Sequence, residues 1–151
     1  MLRTHNVLNL FTGPPKERSN DEWTVRQFLQ QDGIKIVCGG TTAKIVAAVL
    51  NVPLEFADTK QDIFWYRIPG IDLAAEGRMT LHRFAEGFTD SIVLRQLHQY
   101  FDAAETVNVT LGTAVNPADT AETDIKSRSE SIAVIAAQLR NAGKNVNIER
   151  V

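Results

Sequence analysis

The sequence predicts a single α/β domain over residues 1–151, a Rossmann-like three-layer sandwich in which a mostly parallel sheet carries helices on both faces. Short β-branched segments alternate with amphipathic segments along the chain, an order that favours a parallel sheet. The segment from Ile34 to Cys38 is almost entirely apolar, which is typical of a strand buried on both faces. A length of 151 residues suits one domain around one core.

Alternation and spacing predict the first strand and the first helix. Asn6 to Phe11 alternates polar and apolar residues, and Thr12 to Pro15 ends this strand because two prolines cannot continue a ladder. Ser19 and Glu22 have the spacing of a capping box, so we expect a helix to begin there. The buried stripe of this helix has i, i+3, i+4 spacing: Val25, Phe28 and Leu29.

A second helix is predicted directly after the apolar strand. Gly39 and Gly40 turn the chain, and either Thr41 or Thr42 is expected to cap the helix. The buried face of the helix consists of four apolar residues: Ile45, Val46, Val49 and Leu50. The segment from Val52 to Ala57 is a candidate third strand.

Periodicity is weakest in the middle of the chain, between Asp58 and Glu76. We expect Ile63 to Ile68 to be extended and Ile71 to Glu76 to form a short strand. Thr80 is then expected to cap a helix. The apolar face of that helix is predicted from i, i+3, i+4, i+7 spacing: Leu81, Phe84, Ala85 and Phe88.

The last third of the chain repeats the alternation of helix and strand. A helix is expected after Thr89 and Asp90, followed by an alternating strand from Thr106 to Leu111 and a long polar loop from Gly112 to Thr123. The final helix has the clearest apolar face: Ile132, Ile135, Ala136 and Leu139. Asn145 to Val151 alternates and predicts a last strand.

Composition argues against several classes of function. The formal net charge is −2 and the Lys and Arg residues are scattered, so the sequence predicts no nucleic-acid partner. No apolar stretch approaches the ~20 residues of a membrane helix, and the N-terminus lacks a signal-peptide pattern, which predicts a cytoplasmic protein without a membrane partner. The single cysteine, Cys38, excludes an internal disulfide.

A ligand site is expected beyond the carboxyl ends of the strands, where parallel sheets bind their ligands. Three predicted loops lie there: Thr12 to Pro15, Cys38 to Thr42, and Gly112 to Pro117. The candidate ligand-binding residues are Thr12, Gly13, Gly39, Gly40, Thr41, Thr42, Asp72, Glu76 and Asn116. No catalytic residue, metal ligand or cofactor is assigned.

The loop from Cys38 to Thr42 is the strongest of these candidates. Its glycines permit close approach of a ligand, its threonines supply hydroxyls, and the amides of Thr42, Ala43 and Lys44 are expected to be free at the helix start, as phosphate or carboxylate binding requires. The alternative is a tight turn with a threonine cap. Neither the Walker spacing nor the dinucleotide fingerprint is present.

Other residues that carry chemistry have weaker patterns. Asp72 and Glu76 are a candidate carboxylate pair for a metal ion or for acid-base work. Alternatively, Glu76 and Gly77 form a polar turn that leads to Thr80. A helix N-terminus next to Cys38 would lower the pKa of its thiol, but no Cys-x-x-Cys partner or nearby histidine accompanies it, so a buried structural thiol is favoured. The three histidines are assigned to solvated faces or to no site.

Several segments, in order along the chain, resemble one family. They are Leu10 to Lys16, Asp32 to Ala47, Gly70 to Leu73 with Glu76-Gly77 and Thr80-Leu81, and Ala114 to Ala118. The chain resembles the C-terminal region that follows the catalytic domain in proteins like stage II sporulation protein E (SpoIIE), whose catalytic domains are type-2C protein phosphatases. The most specific part runs from Val37 to Ala47, where the family pattern has asparagine in place of Lys44.

The resemblance implies a regulatory or ligand-sensing appendage of a phosphatase domain, without phosphatase activity of its own. Type-2C phosphatases hold two metal ions with spaced aspartates, and this sequence has no such set. Three hypotheses follow: a module that binds a small anionic molecule, a small α/β hydrolase or transferase that uses Asp72 or Glu76, and an interaction domain without a ligand. The sequence is compatible with a homodimer in each case.

Overall fold

A computed structural model describes residues 6–56, 63–114 and 127–151. The strands are β1 (Val7–Thr12), β2 (Ile34–Cys38), β3 (Glu55–Phe56), β4 (Trp65–Arg67), β5 (Leu73–Ala75), β6 (Thr106–Leu111) and β7 (Asn145–Arg150). The helices are α1 (Asp21–Gln30), α2 (Gly40–Leu50), α3 (Arg78–Ala85), α4 (Ile92–Ala103) and α5 (Arg128–Asn141). None of the helices in these ranges combines the length and apolar character needed to cross a membrane.

The strands form one seven-stranded sheet in the order β3-β4-β5-β2-β1-β6-β7. The five strands from β5 to β7 in this order are parallel, whereas β3 and β4 add an antiparallel edge. The predicted α/β fold with a mostly parallel sheet is therefore confirmed.

β1 lies at the centre of the five parallel strands, and the later strands are added on both sides of it. β2 and β5 extend the sheet on one side of β1, and β6 and β7 extend it on the other, which is the doubly wound order of Rossmann-like folds. Thr12 pairs with Cys38 on one side and with Leu111 on the other. Because Cys38 also pairs with Ala75, four strands end at the same level and their carboxyl loops meet.

Helices cover both faces of the sheet and create two apolar clusters. On one face, Phe11 and Val37 pack against α1 and α2, and the rings of Phe11 and Phe28 lie 5.5 Å apart. On the other face, Leu10 and Ile36 pack against α3, α4 and α5. Full burial of each such side chain contributes about 1.5–3 kcal/mol. The prediction that β2 is buried on both faces is confirmed for Ile36 to Cys38.

The predicted helix caps were wrong in three places. α1 begins after Asn20, and Ser19 lies in a short 3₁₀ turn (Arg18–Asn20) instead of a capping box. α2 begins after Gly39, without a side-chain cap from Thr41 or Thr42. Thr80 is the third residue of α3 rather than its cap. Two of these hydroxyls make other contacts, because Thr42 accepts from the amide of Gly13 and Thr80 donates to Glu76.

Strand and helix lengths also differ from the predictions. Of the described residues 52–56 of the predicted third strand, β3 covers Glu55 and Phe56, and Ala57 lies outside the described residues. Both residues of β3 are exposed because β3 lies at the sheet edge. Phe88 lies beyond the end of α3 and is 49% exposed, so it does not extend the apolar face of that helix. The apolar face predicted for the last helix is confirmed, because its four residues are buried in α5.

Candidate functional site

Glycines from four loops meet at the carboxyl edge of the sheet. A Cβ on Gly112 would lie 2.0 Å from the carbonyl oxygen of Gly13, and a Cβ on Gly77 would lie 2.9 Å from the Cα of Gly39. These distances leave no room for a larger residue, so the loops pack backbone against backbone. We call this group, with the adjacent Gly40, the glycine edge.

Two threonine hydroxyls hold the glycine edge together. Thr12 Oγ1 donates to the carbonyl oxygen of Cys38 at 2.7 Å, and the amide of Gly13 donates to Thr42 Oγ1 at 2.9 Å. Both side chains are completely buried. Thr12 and Thr42 therefore position the loops, while Thr41 is exposed to solvent beside them.

α2 starts two residues earlier than the start on which the predicted anion site was based. The amide of Ala43 donates to the carbonyl oxygen of Gly39 at 2.8 Å, so it belongs to the helix ladder. The amides without an intrahelical acceptor are those of Gly40, Thr41 and Thr42, instead of Thr42, Ala43 and Lys44. The Lys44 side chain is exposed in the second turn of the helix.

Tyr66 reaches the glycine edge from β4. A Cβ on Gly40 would lie 3.2 Å from the Tyr66 hydroxyl oxygen. Burial raises the pKa of Tyr66, and the negative charge of Glu76 raises it further. The hydroxyl is therefore protonated at neutral pH and is able to donate a hydrogen bond.

Arg128 crosses the glycine edge from the first turn of α5. Its guanidinium nitrogens lie 3.2 Å from a Cβ position on Gly13 and 3.4 Å from one on Gly77. Ser127 caps α5, because its hydroxyl accepts from the amide of Glu130 at 3.2 Å. Arg128 was not a candidate from the sequence, although the Ser-x-x-Glu spacing at Ser127 marks a helix start after β6.

Glu76 has a structural role at the same edge. Its Oε1 accepts from the amide of Thr80 at 2.9 Å and from the Thr80 hydroxyl at 2.8 Å, so it ties down the first turn of α3. This is the polar-turn alternative that the sequence left open. The carboxylate also lies close enough to Cys38 and Tyr66 to raise the pKa of both.

Cys38 is a completely buried thiol whose pKa lies above its ordinary value. Burial raises the pKa of Cys38 to about 12, the charge of Glu76 adds to this rise, and the charge of Arg128 partly offsets it. The expected lowering by the start of α2 does not prevail, because the side chain is completely removed from water. The burial of the thiol expected from the sequence is confirmed.

Asp72 lies directly before the amino end of β5, whereas Glu76 follows the carboxyl end of the same strand. Its Oδ2 accepts from the amide of Lys35 at 2.8 Å, and its own amide donates to the carbonyl oxygen of Lys35, at the amino ends of β5 and β2. The expected carboxylate pair is therefore wrong. Asp72 instead borders a separate cavity of about 410 Å³ together with Trp65 and Arg67.

A cavity of about 260 Å³ adjoins the glycine edge between the ends of β6 and β7 and the start of α5. Two arginines, Arg128 and Arg150, and the hydroxyl residues Thr113, Ser127 and Ser129 line it. Asn116, the remaining predicted contact, lies outside the described residues. No three His, Cys, Asp or Glu side chains in the described ranges are grouped as a metal ion would require.

The geometry of the carboxyl edge thus brings together Gly13, Gly39, Gly40, Thr41 and Glu76 of the predicted site, and it adds Tyr66, Arg128 and Arg150. Asp72 lies at the other edge. Comparisons with protein-family models, with curated proteins and with solved structures found no match to this chain.

Proposed function

We propose that this domain binds a small anionic ligand, inorganic phosphate or a phosphorylated metabolite, in the cavity beside the glycine edge. The observation that carries the proposal is the position of the Arg128 guanidinium, which lies against the glycines that end β1, β2 and β5. An arginine held by backbone at the carboxyl edge of a doubly wound sheet lies where such folds bind ligands.

The chemistry of the cavity favours an anion. Arg128 and Arg150 both border it, and arginine remains charged at every physiological pH. The planar guanidinium matches the spacing of phosphate or carboxylate oxygens and forms two parallel hydrogen bonds with them. Ser129 and Thr113 supply further polar groups around the same space. Glu76, a carboxylate that the described residues bring to this edge, is held by Thr80.

The same geometry favours binding over catalysis. The Cys38 thiol is protonated, because its pKa is raised to about 12, and the Thr12 and Thr42 hydroxyls are buried in the hydrogen bonds that join the loops. Asp72 and Glu76 lie too far apart to act as an acid and a base on one substrate. Covalent catalysis by a hydrolase or transferase would need a nucleophile and a base within hydrogen-bonding distance of each other.

The experiment is a thermal-shift screen with phosphate, pyrophosphate, nucleotides and sugar phosphates, repeated for each hit with two arginine variants. A ligand at ~100 times its dissociation constant should add about 2.7 kcal/mol of stability and raise Tm by several degrees. Arg128→Gln should remove most of this rise. Arg26→Gln is the matched control, because Arg26 forms an exposed ion pair with Glu22 on α1.

The outcomes separate specific binding from charge effects. The proposal would be contradicted if the ligand still raised Tm fully in Arg128→Gln. It would also be contradicted if Arg26→Gln reduced the ligand-induced rise in Tm as much as Arg128→Gln does. Because Arg128 packs against backbone, its replacement can lower Tm without ligand, so the readout is the difference between Tm with and without ligand for each variant. Arg128→Lys should retain only part of the rise, since lysine lacks the paired donors.

The resemblance to the appended region of SpoIIE-like phosphatases supports a regulatory use of this binding. In that case, ligand occupancy changes the activity of a phosphatase domain joined to or bound by this one. The measurement is the phosphatase rate of a family member that carries both domains, with and without the stabilising ligand. An unchanged phosphatase rate at saturating ligand would contradict the regulatory role, whereas the proposal of ligand binding would still stand.

A further inference from the structure

β7 is a long strand at the edge of the sheet. It contains six residues and, among the strands of the described residues, pairs with β6 alone, whereas β3 at the opposite edge has two residues. No proline interrupts β7. An edge strand of this length presents a row of backbone donors and acceptors that can pair with another strand, and proteins usually block or use such an edge.

The backbone hydrogen bonds show which residues of β7 face outward. The amide of Asn145 donates to Glu105 and the amide of Val151 donates to Leu111, both at 2.9 Å. Because bonding alternates along a strand, Asn147 and Glu149 also pair with β6. The backbone groups of the intervening residues therefore point away from the sheet: Val146, Ile148 and Arg150.

One side chain partly covers this edge. Arg140, near the end of α5, donates to the outward carbonyl oxygen of Val146 at 3.0 Å. Arg140 is exposed, so its side chain can exchange this bond for water at low cost. Within the described residues, no side chain forms a similar hydrogen bond to the outward amide or carbonyl groups of Ile148 and Arg150.

We propose that two copies of this chain pair through antiparallel β7 strands, with Ile148 opposite the partner's Ile148, which joins the two sheets into one. In this register all three outward residues of each strand find an outward residue opposite, because Val146 faces the partner's Arg150. A shift of the centre to Glu149 would place the two Glu149 carboxylates directly opposite each other, which is unfavourable. The centre at Ile148 places Glu149 opposite the partner's Asn147 instead.

A second copy fits this edge because, in the register centred on Ile148, every outward residue meets an outward residue and no two like charges lie directly opposite each other. A two-fold axis at Ile148 places the same strand of each copy in the interface, so the outward backbone groups of both strands are paired by one contact, as in isologous interfaces. Trp23 adds an apolar contact nearby. Its indole is 58% exposed on α1 and borders a cavity of about 500 Å³ together with Glu149, Arg150 and Val151. The proposed pairing brings the first residues of the partner's β7 to this cavity.

A cysteine placed on the two-fold axis tests the register directly. In Ile148→Cys the two cysteines would be a directly hydrogen-bonded antiparallel pair with Cα atoms ~5.5 Å apart, within the range of disulfides. Asn145→Cys is the matched control, because residue 145 would lie opposite the partner's Val151, far from its own copy. The native Cys38 is completely buried and will not compete.

We expect mild oxidation of the folded variants to yield covalent dimers of Ile148→Cys only. Light scattering of the unmodified chain should show a dimer that dissociates on dilution. A monomer at every concentration, or equal crosslinking of the two variants, would overturn the proposal. These readouts do not depend on any ligand, so they fail or succeed separately from the proposed anion site.

A proline variant supplies an independent measurement. Ile148→Pro removes an amide that faces outward, so no bond to β6 is lost, and it should shift the chain to the monomer. Ile148→Val keeps the amide and should remain dimeric. Circular dichroism shows whether the proline variant is folded, and if it is not, the cysteine pair still decides the question.

Discussion

The amide of Gly13 donates a 2.9 Å hydrogen bond to the hydroxyl of Thr42, which ties the loop after β1 to the first turn of α2. Thr12 makes a second tie, from its hydroxyl to the carbonyl oxygen of Cys38. The residues that from the sequence resembled ligand contacts thus hold two loops at a fixed distance. Arg128 and the proposed anion site depend on this framework, because the guanidinium lies against the backbone that these bonds position.

Replacement of Thr42 by valine should destabilise the domain by about 1–3 kcal/mol. The substitution leaves the buried amide of Gly13 without its acceptor, and an unsatisfied buried donor costs roughly that amount. Thr42→Ser keeps the hydroxyl and should cost clearly less. Urea unfolding of the two variants and the parent measures the difference, and equal stability of Thr42→Val and Thr42→Ser would show that the bond does not contribute.

Gly112→Ala should be strongly destabilising, since its Cβ would lie 2.0 Å from the carbonyl oxygen of Gly13 and backbone must move to admit it. We expect a loss of about 1–3 kcal/mol or more. Gly87→Ala is the control, because a Cβ there meets nothing within 4 Å, although its φ is +86°. Thermal unfolding of both variants separates a steric clash from backbone strain. A smaller loss for Gly112→Ala than for Gly87→Ala would contradict the packing at the glycine edge.

Cys38 should resist thiol reagents in the folded protein at neutral and mildly alkaline pH. The reagent reacts with the thiolate, and burial raises the pKa of this thiol to about 12 and blocks access. Unfolding in guanidinium should restore rapid reaction. Fast labelling of the native chain at a rate that is independent of denaturant would show that the thiol is accessible.

The same shift predicts how Cys38 affects stability at alkaline pH. Because the pKa of the folded Cys38 thiol lies above the ordinary value of 9.0, the folded state keeps its proton at a pH where the unfolded state has lost it. The contribution of the Cys38 thiol to the free energy of unfolding is therefore fully present below pH ~9 and is lost as the pH rises toward 12. Cys38→Ala should show a shallower fall in the free energy of unfolding over that interval than the parent chain. Parallel curves for the two proteins would contradict the shift.

Local sequence patterns predicted the elements well where one face of the element is buried. The apolar faces of α5 and β2 were recognised because their periodicity directly reflects which side chains leave water. Prediction was poor at helix starts and at the antiparallel edge. Thr80 has the chemistry of a cap, yet its hydroxyl bonds to Glu76, and Phe88 continues an apolar spacing beyond the end of its helix.

The sequence by itself determined the alternation of strands and helices, the parallel character of the sheet and the presence of glycine loops after its strands, because these depend on residues that are neighbours in the chain. Tertiary structure decided which residues meet. It placed Asp72 at one edge of the sheet and Glu76 at the other, and it carried Arg128 across to Gly13 and Gly77. Strand order and register set those distances, and they arise from packing between segments remote in sequence, which no local pattern contains.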